Sequence, residues 1–166
     1  MSYKALGMGS IMSLETLSNN ELYAVLRPGL RSEFAKFEQL FTAPAGATLI
    51  RHGVLPDRLV ILNSGTVCIS VPGPNRTASL TTGQPGKVFG MRAAISGELP
   101  EIDVTCVKPC NVTILPRDAF LCLLKNYPEI YFAIAKVLSA DLQIANNFLR
   151  DRSRRASISC KVAKPV

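Results

Sequence analysis

The chain has 166 residues, 48% hydrophobic and 19% charged, which suits one compact domain and excludes a disordered chain. Its net charge of +7 is concentrated: from Arg150 onward there are six cations and one acid, leaving the first 149 residues at only +2, so no basic folded face is implied. No apolar run approaches the roughly 20 residues of a membrane helix, and "MSYKALGMGSI" lacks the form of a secretory signal, so no membrane association and a cytoplasmic location are expected.

In chain order, residues 1–17 read as a flexible N-terminal segment. Ser18 and Glu21 form a capping box, and Leu22, Val25 and Leu26 repeat at helical spacing. Arg27-Pro28-Gly29 interrupts, and Phe34, Phe37 and Leu40 carry a second helical piece to residue 40. Over residues 41–116 short apolar runs alternate with glycine or proline turns, as in "DRLVILNSG", "TVCISVPGPN" and "IDVTCVKPC". That spacing predicts about eight antiparallel strands in a small β-roll or jelly-roll barrel, not alternating strands and helices. Residues 117–155 return to helix, with Asp118 in the first turn of one piece and Pro128 at the start of a long second one. Residues 156–166 read as a basic disordered tail. The expected fold is mainly β, with N-terminal helices over 18–40 and a long C-terminal helix.

The five cysteines are an odd number with no C-x-x-C pair, which points to reduced thiols buried as small hydrophobes. The single histidine, His52, is too few for a metal site or a Ser–His–acid set. Neither a metal nor catalysis is expected. Tyr131, Ile134, Leu138, Leu142, Ala145 and Leu149 follow the spacing of a coiled-coil seam. A helix over 128–155 would be about 42 Å long, more than a small barrel covers, and predicts a homodimer through that helix.

The runs "AGATLIRHGVLPDRLVILNSGTVCIS", "GQPGKVFGMRAAISGE" and "PCNVTILPRDAF" resemble the cyclic-nucleotide-binding domain, most closely that of catabolite-activator and FNR-type bacterial regulators. The resemblance extends from about Leu22 to Arg155, and Gly46, Gly53, Gly65, Gly86 and Gly90 fall at the family's turn positions. It implies a phosphate-binding cassette over Gly90, Met91, Arg92, Ala93, Pro100, Glu101 and Ile102. In that family a glutamate holds the ribose, and an arginine followed by Ser or Thr holds the cyclic phosphate. Here the glutamate position reads Met91, the arginine position Pro100 and the next Glu101. Losing a charge-assisted contact of roughly 1.5–3 kcal/mol weakens an anion by about tenfold or more, and a carboxylate adds repulsion. Arg92 is the cation left near the cassette, beside the amides of Met91 to Ala93. The long helix supplies base contacts in the catabolite activator, at positions that fall on Ala145 and Asn146 here.

The expected function is a regulatory, ligand-sensing domain that binds a cyclic nucleotide weakly or takes a different small anionic effector, with no other cofactor. The alternative is a ligand-free interaction or dimerisation module that kept the fold and lost the pocket. Only eleven residues follow Arg155, too few for a helix-turn-helix, so sequence-specific DNA reading by this chain alone is not expected.

Overall fold

A computed structural model describes residues 22, 24, 26–73 and 77–162, apart from the side chains of residues 148, 149 and 151–162. The expected flexible segment 1–17, the Ser18–Glu21 capping box and the last four residues of the tail lie outside the described residues. Two compact units divide the chain, Met1–Leu123 and Leu124–Val166.

In the first unit, helix α1 (Pro28–Ala35) begins with proline at its first turn, where the missing N–H has no partner to lose. It buries Leu30 and Phe34, and the Phe34 ring meets Phe120 at 6.3 Å between centroids, tilted 54°. The helix expected to reach residue 40 stops at Ala35. Gln39–Ala43 is instead strand β1, pairing antiparallel with β8 (Cys110–Pro116) from Gln39↔Ile114 to Ala43↔Cys110. Phe37 and Leu40 match a helical period, but both are exposed, so they supplied no burial to hold a helix against this ladder.

The other strands are β2 (Thr48–Ile50), β3 (Arg58–Ser64), β4 (Val67–Val71), β5 (Ala78–Thr82), β6 (Val88–Phe89) and β7 (Asp103–Cys106). A short helix, α2 (Met91–Ser96), separates β6 from β7. One sheet runs β1-β8-β3-β6 and the other β2-β7-β4-β5. Among the described residues neither sheet pairs its two edge strands with each other. The architecture is the expected β-roll of eight antiparallel strands, but the sheets are not closed into a barrel.

Alternation along the strands explains the core. Ala43, Ile50, Val60, Leu62, Val67, Phe89, Val104, Cys106, Cys110 and Val112 make one buried cluster drawn from both sheets. Leu59 and Ile61 point to the opposite side of β3 and are buried too, which is why that strand reads as an unbroken apolar run. Two polar side chains are buried in this sheet, and they satisfy each other: Asn63 Nδ2 donates to Thr113 Oγ1 at 2.8 Å. The five glycines expected at turns all have positive φ. Cys106 and Cys110 are buried as expected, whereas Cys122 is exposed. Burial, reinforced by the neighbouring Cys110, pushes the Cys106 thiol up to about 12.

Helix α3 (Arg117–Asn126) carries Asp118 in its first turn and crosses the boundary between the units. In the second unit, α4 (Ile130–Val162) starts two residues after Pro128 and is 33 residues long. It continues past Arg155, so residues 156–162 of the expected disordered tail are helical. Ile130, Ala133, Ile134 and Val137 are its buried stripe, and Tyr131, Phe132, Leu142 and Ile144 are exposed. Ile134 therefore does not belong to an outward seam. The outward apolar line is Tyr131, Ala135, Leu138, Leu142 and Ala145, at heptad spacing, with Leu138 half-buried. Among the described residues no helix is long and apolar enough to cross a membrane.

Candidate ligand-binding site

The site is built on the short β6, which pairs with β3 through Val60↔Phe89 and Ile61↔Val88 and buries both its residues. The chain leaves it at Gly90, whose φ of 85° turns it into α2. A Cβ there would lie 3.1 Å from Ile50 Cδ1 and 3.2 Å from the Arg58 carbonyl, so glycine answers to crowding as well as to conformation. The Ala94 amide closes the first turn on the Gly90 carbonyl at 2.9 Å, and Arg117 Nε holds the Ala94 carbonyl at 3.1 Å. Gly97, also left-handed, ends the helix after six residues, its amide donating to the Ala93 carbonyl at 3.0 Å.

Met91, Ala93 and Ala94 are buried and Arg92 faces out. This inside–outside pattern anchors the helix and leaves its one cation at the surface. On the opposite wall the chain returns through Pro100, whose carbonyl accepts the Gly53 amide at 2.9 Å, and Asp103 Oδ1 accepts the His52 amide at 2.9 Å. These two bonds tie the β2–β3 loop to the segment entering β7.

Between the walls lies a cavity of about 160 Å³ lined by Ile50, Gly90, Arg92, Ala93, Pro100, Glu101 and Ile102. Six of the seven cassette positions named from the sequence line it. Met91 does not: it is 3% exposed and packs inward. Ala145 and Asn146 are exposed residues of α4, in the second unit. The sequence reading did not include Ile50, which reaches the cavity from β2, or the pairing of Arg92 with Glu98. Arg92 Nη1 donates to Glu98 Oε2 at 3.1 Å, both side chains at least half exposed. Arg58, whose carbonyl backs Gly90, binds Asp57 at 2.5 and 2.7 Å and holds its carboxyl below the usual range. The cavity thus has apolar walls, one cation that already has a partner and one carboxylate at its rim.

The profile of the cyclic nucleotide-binding domain matches residues 40–127, more than half of the chain. The chain belongs to the cyclic nucleotide-binding domain family. A cyclic nucleotide-gated potassium channel of Mesorhizobium japonicum is 30% identical over 109 residues, 66% of this chain and 29% of the channel. A CRP-like cAMP-activated global transcriptional regulator of Mycobacterium tuberculosis is 28% identical over 138 residues, 82% of this chain and 62% of the regulator. The crystal structure of Thermus thermophilus catabolite activator protein matches with a TM-score of 0.68 at 22% identity, covering 81% of this chain and 63% of that one. This cyclic nucleotide-binding domain therefore spans less than a third of the channel and under two thirds of the regulator.

Proposed function

We propose that this domain senses a small ligand in the cassette cavity and that the cavity binds cyclic nucleotide weakly or takes another effector. What supports the reading is the cavity itself, lined by six of the seven positions that the family resemblance assigns to its phosphate cassette. Weak binding follows from the wall chemistry. Pro100 offers neither a guanidinium nor an amide N–H, and the ionised side chain of Glu101 offers only acceptors. Arg92 is left to hold an anion. No catalytic role is assigned to the chain.

Calorimetric titration with cyclic AMP, cyclic GMP and cyclic dinucleotides tests this. Saturable binding that Arg92→Ala weakens by about tenfold supports it. Binding indifferent to Arg92→Ala moves the site elsewhere, and no binding by any of them favours an interaction module.

That second reading has an observation of its own in the outward line Tyr131, Ala135, Leu138, Leu142 and Ala145 of α4. Such a line at heptad spacing suits a homodimer through this helix. Light scattering should then give twice the chain mass, and Leu142→Asp should return it to the monomer.

A further inference from the structure

Taking the cassette cavity as the ligand site, we infer that Glu98 and Glu101 are its specificity-determining residues: together they turn it against anions and toward ligands with a neutral or cationic head. Three observations lead there. Arg92, the cation that lines the cavity, is already paired with Glu98 at 3.1 Å. The pairing is a product of the loop. Gly97, at φ 72°, stops α2 and reverses the chain, and the Glu98 amide donates to Ser96 Oγ at 3.1 Å, which returns residue 98 to the side of residue 92.

Across the cavity, Glu101 lines the wall next to Pro100, which has no N–H and whose carbonyl is taken by Gly53. Arg92 and Glu101, the charged residues of the lining, offset each other, and Glu98 adds a further carboxylate beside Arg92. An incoming phosphate must share Arg92 with Glu98 and still face Glu101. A neutral or cationic group meets neither obstacle, and the walls of Ile50, Ala93, Pro100 and Ile102 suit an apolar body.

Each carboxylate is exposed, so its effect is modest: about threefold in affinity for a single charge, about tenfold for both. The decisive readout is the sign of the salt dependence, because screening weakens attraction and relieves repulsion. The experiment titrates cyclic AMP into the wild type, Glu98→Gln, Glu101→Gln, the double variant and the double variant carrying Arg92→Ala, each at about 50 and about 300 mM salt.

Affinity should rise about threefold for each single change and about tenfold for the double variant, and Arg92→Ala should reverse the gain. Salt should weaken binding to the double variant but leave the wild type unchanged or strengthened. Unchanged affinity in the double variant, no binding by it, or a gain that survives Arg92→Ala overturns the inference. The two readings separate. A wild type that binds cyclic AMP as tightly as the double variant retains the ligand-sensing role and removes this inference. A double variant that binds when the wild type binds no tested ligand does the opposite.

Discussion

Gly65, between β3 and β4, and Gly90, between β6 and α2, both hold left-handed backbone, with φ 108° and 85°, but their surroundings differ in what can yield. A Cβ on Gly65 would stand 2.7 Å from both the Pro109 carbonyl and Cys110 Sγ. Around it the Val107 amide donates to the Thr66 carbonyl at 2.8 Å, and the buried Cys110 thiol reaches that carbonyl at 3.4 Å. These are backbone and core groups. At Gly90 the nearest atom is the end of the Ile50 side chain, on the wall of a cavity. Where the glycine frame holds the sheets together, this chain has the side chains that packing requires. Where the same frame opens a cavity, Arg92 and Glu101 on its wall are exposed. The sheet packing and the cavity rest on different turns.

The largest expected effect tests the rigid side. Gly65→Ala should destabilise the domain by at least about 3 kcal/mol and lower its melting temperature by roughly 10 °C. A melting point within a degree or two of wild type would mean that the Gly65 turn yields as easily as the cavity wall.

The scaffold also carries a charge that pH can address. Burial pushes Glu38, between α1 and β1, up to about 7 from 4.5. An acid whose folded pKa is raised holds its proton more tightly when folded. Stability is then full below about pH 4.5 and falls as pH rises through about 7. After allowance for partial solvent exposure, the loss is about 2 kcal/mol. Glu38→Gln should match wild type in thermal melts at pH 4.5 and exceed it at pH 8. Equal differences at both values would show that Glu38 does not titrate in this window.

The smallest effect is on the cavity side. Pro100→Arg with Glu101→Ser supplies a guanidinium and a hydroxyl and removes the rim carboxylate, leaving the buried Met91 in place. Cyclic AMP affinity should rise about tenfold, or 1.4 kcal/mol. A folded double variant with no gain would mean that the charge of the cavity wall does not limit cyclic AMP binding.

How much of this was legible in the sequence depends on how local each signal is. The strands of residues 48–116 could be read because alternation and turn glycines act within a few residues. β1 was misread because Phe34, Phe37 and Leu40 fit a helical period. Only pairing with β8, about 70 residues away, made Leu40 part of a strand.

By itself, the sequence determined the β-roll, its glycine turns and the long C-terminal helix. Those follow from periodicity, φ preferences and residue identity, which need no knowledge of distant partners. Tertiary structure alone decided that Met91 packs inward, that Ile50 completes the cavity, that Gly53 caps the Pro100 carbonyl and that Arg92 is held by Glu98. Each of these depends on which segments meet across the sheets or around a reversal of the chain. An arginine side chain has the same chemistry in every sequence; its partner here is set by the left-handed turn at Gly97, which brings residue 98 to residue 92.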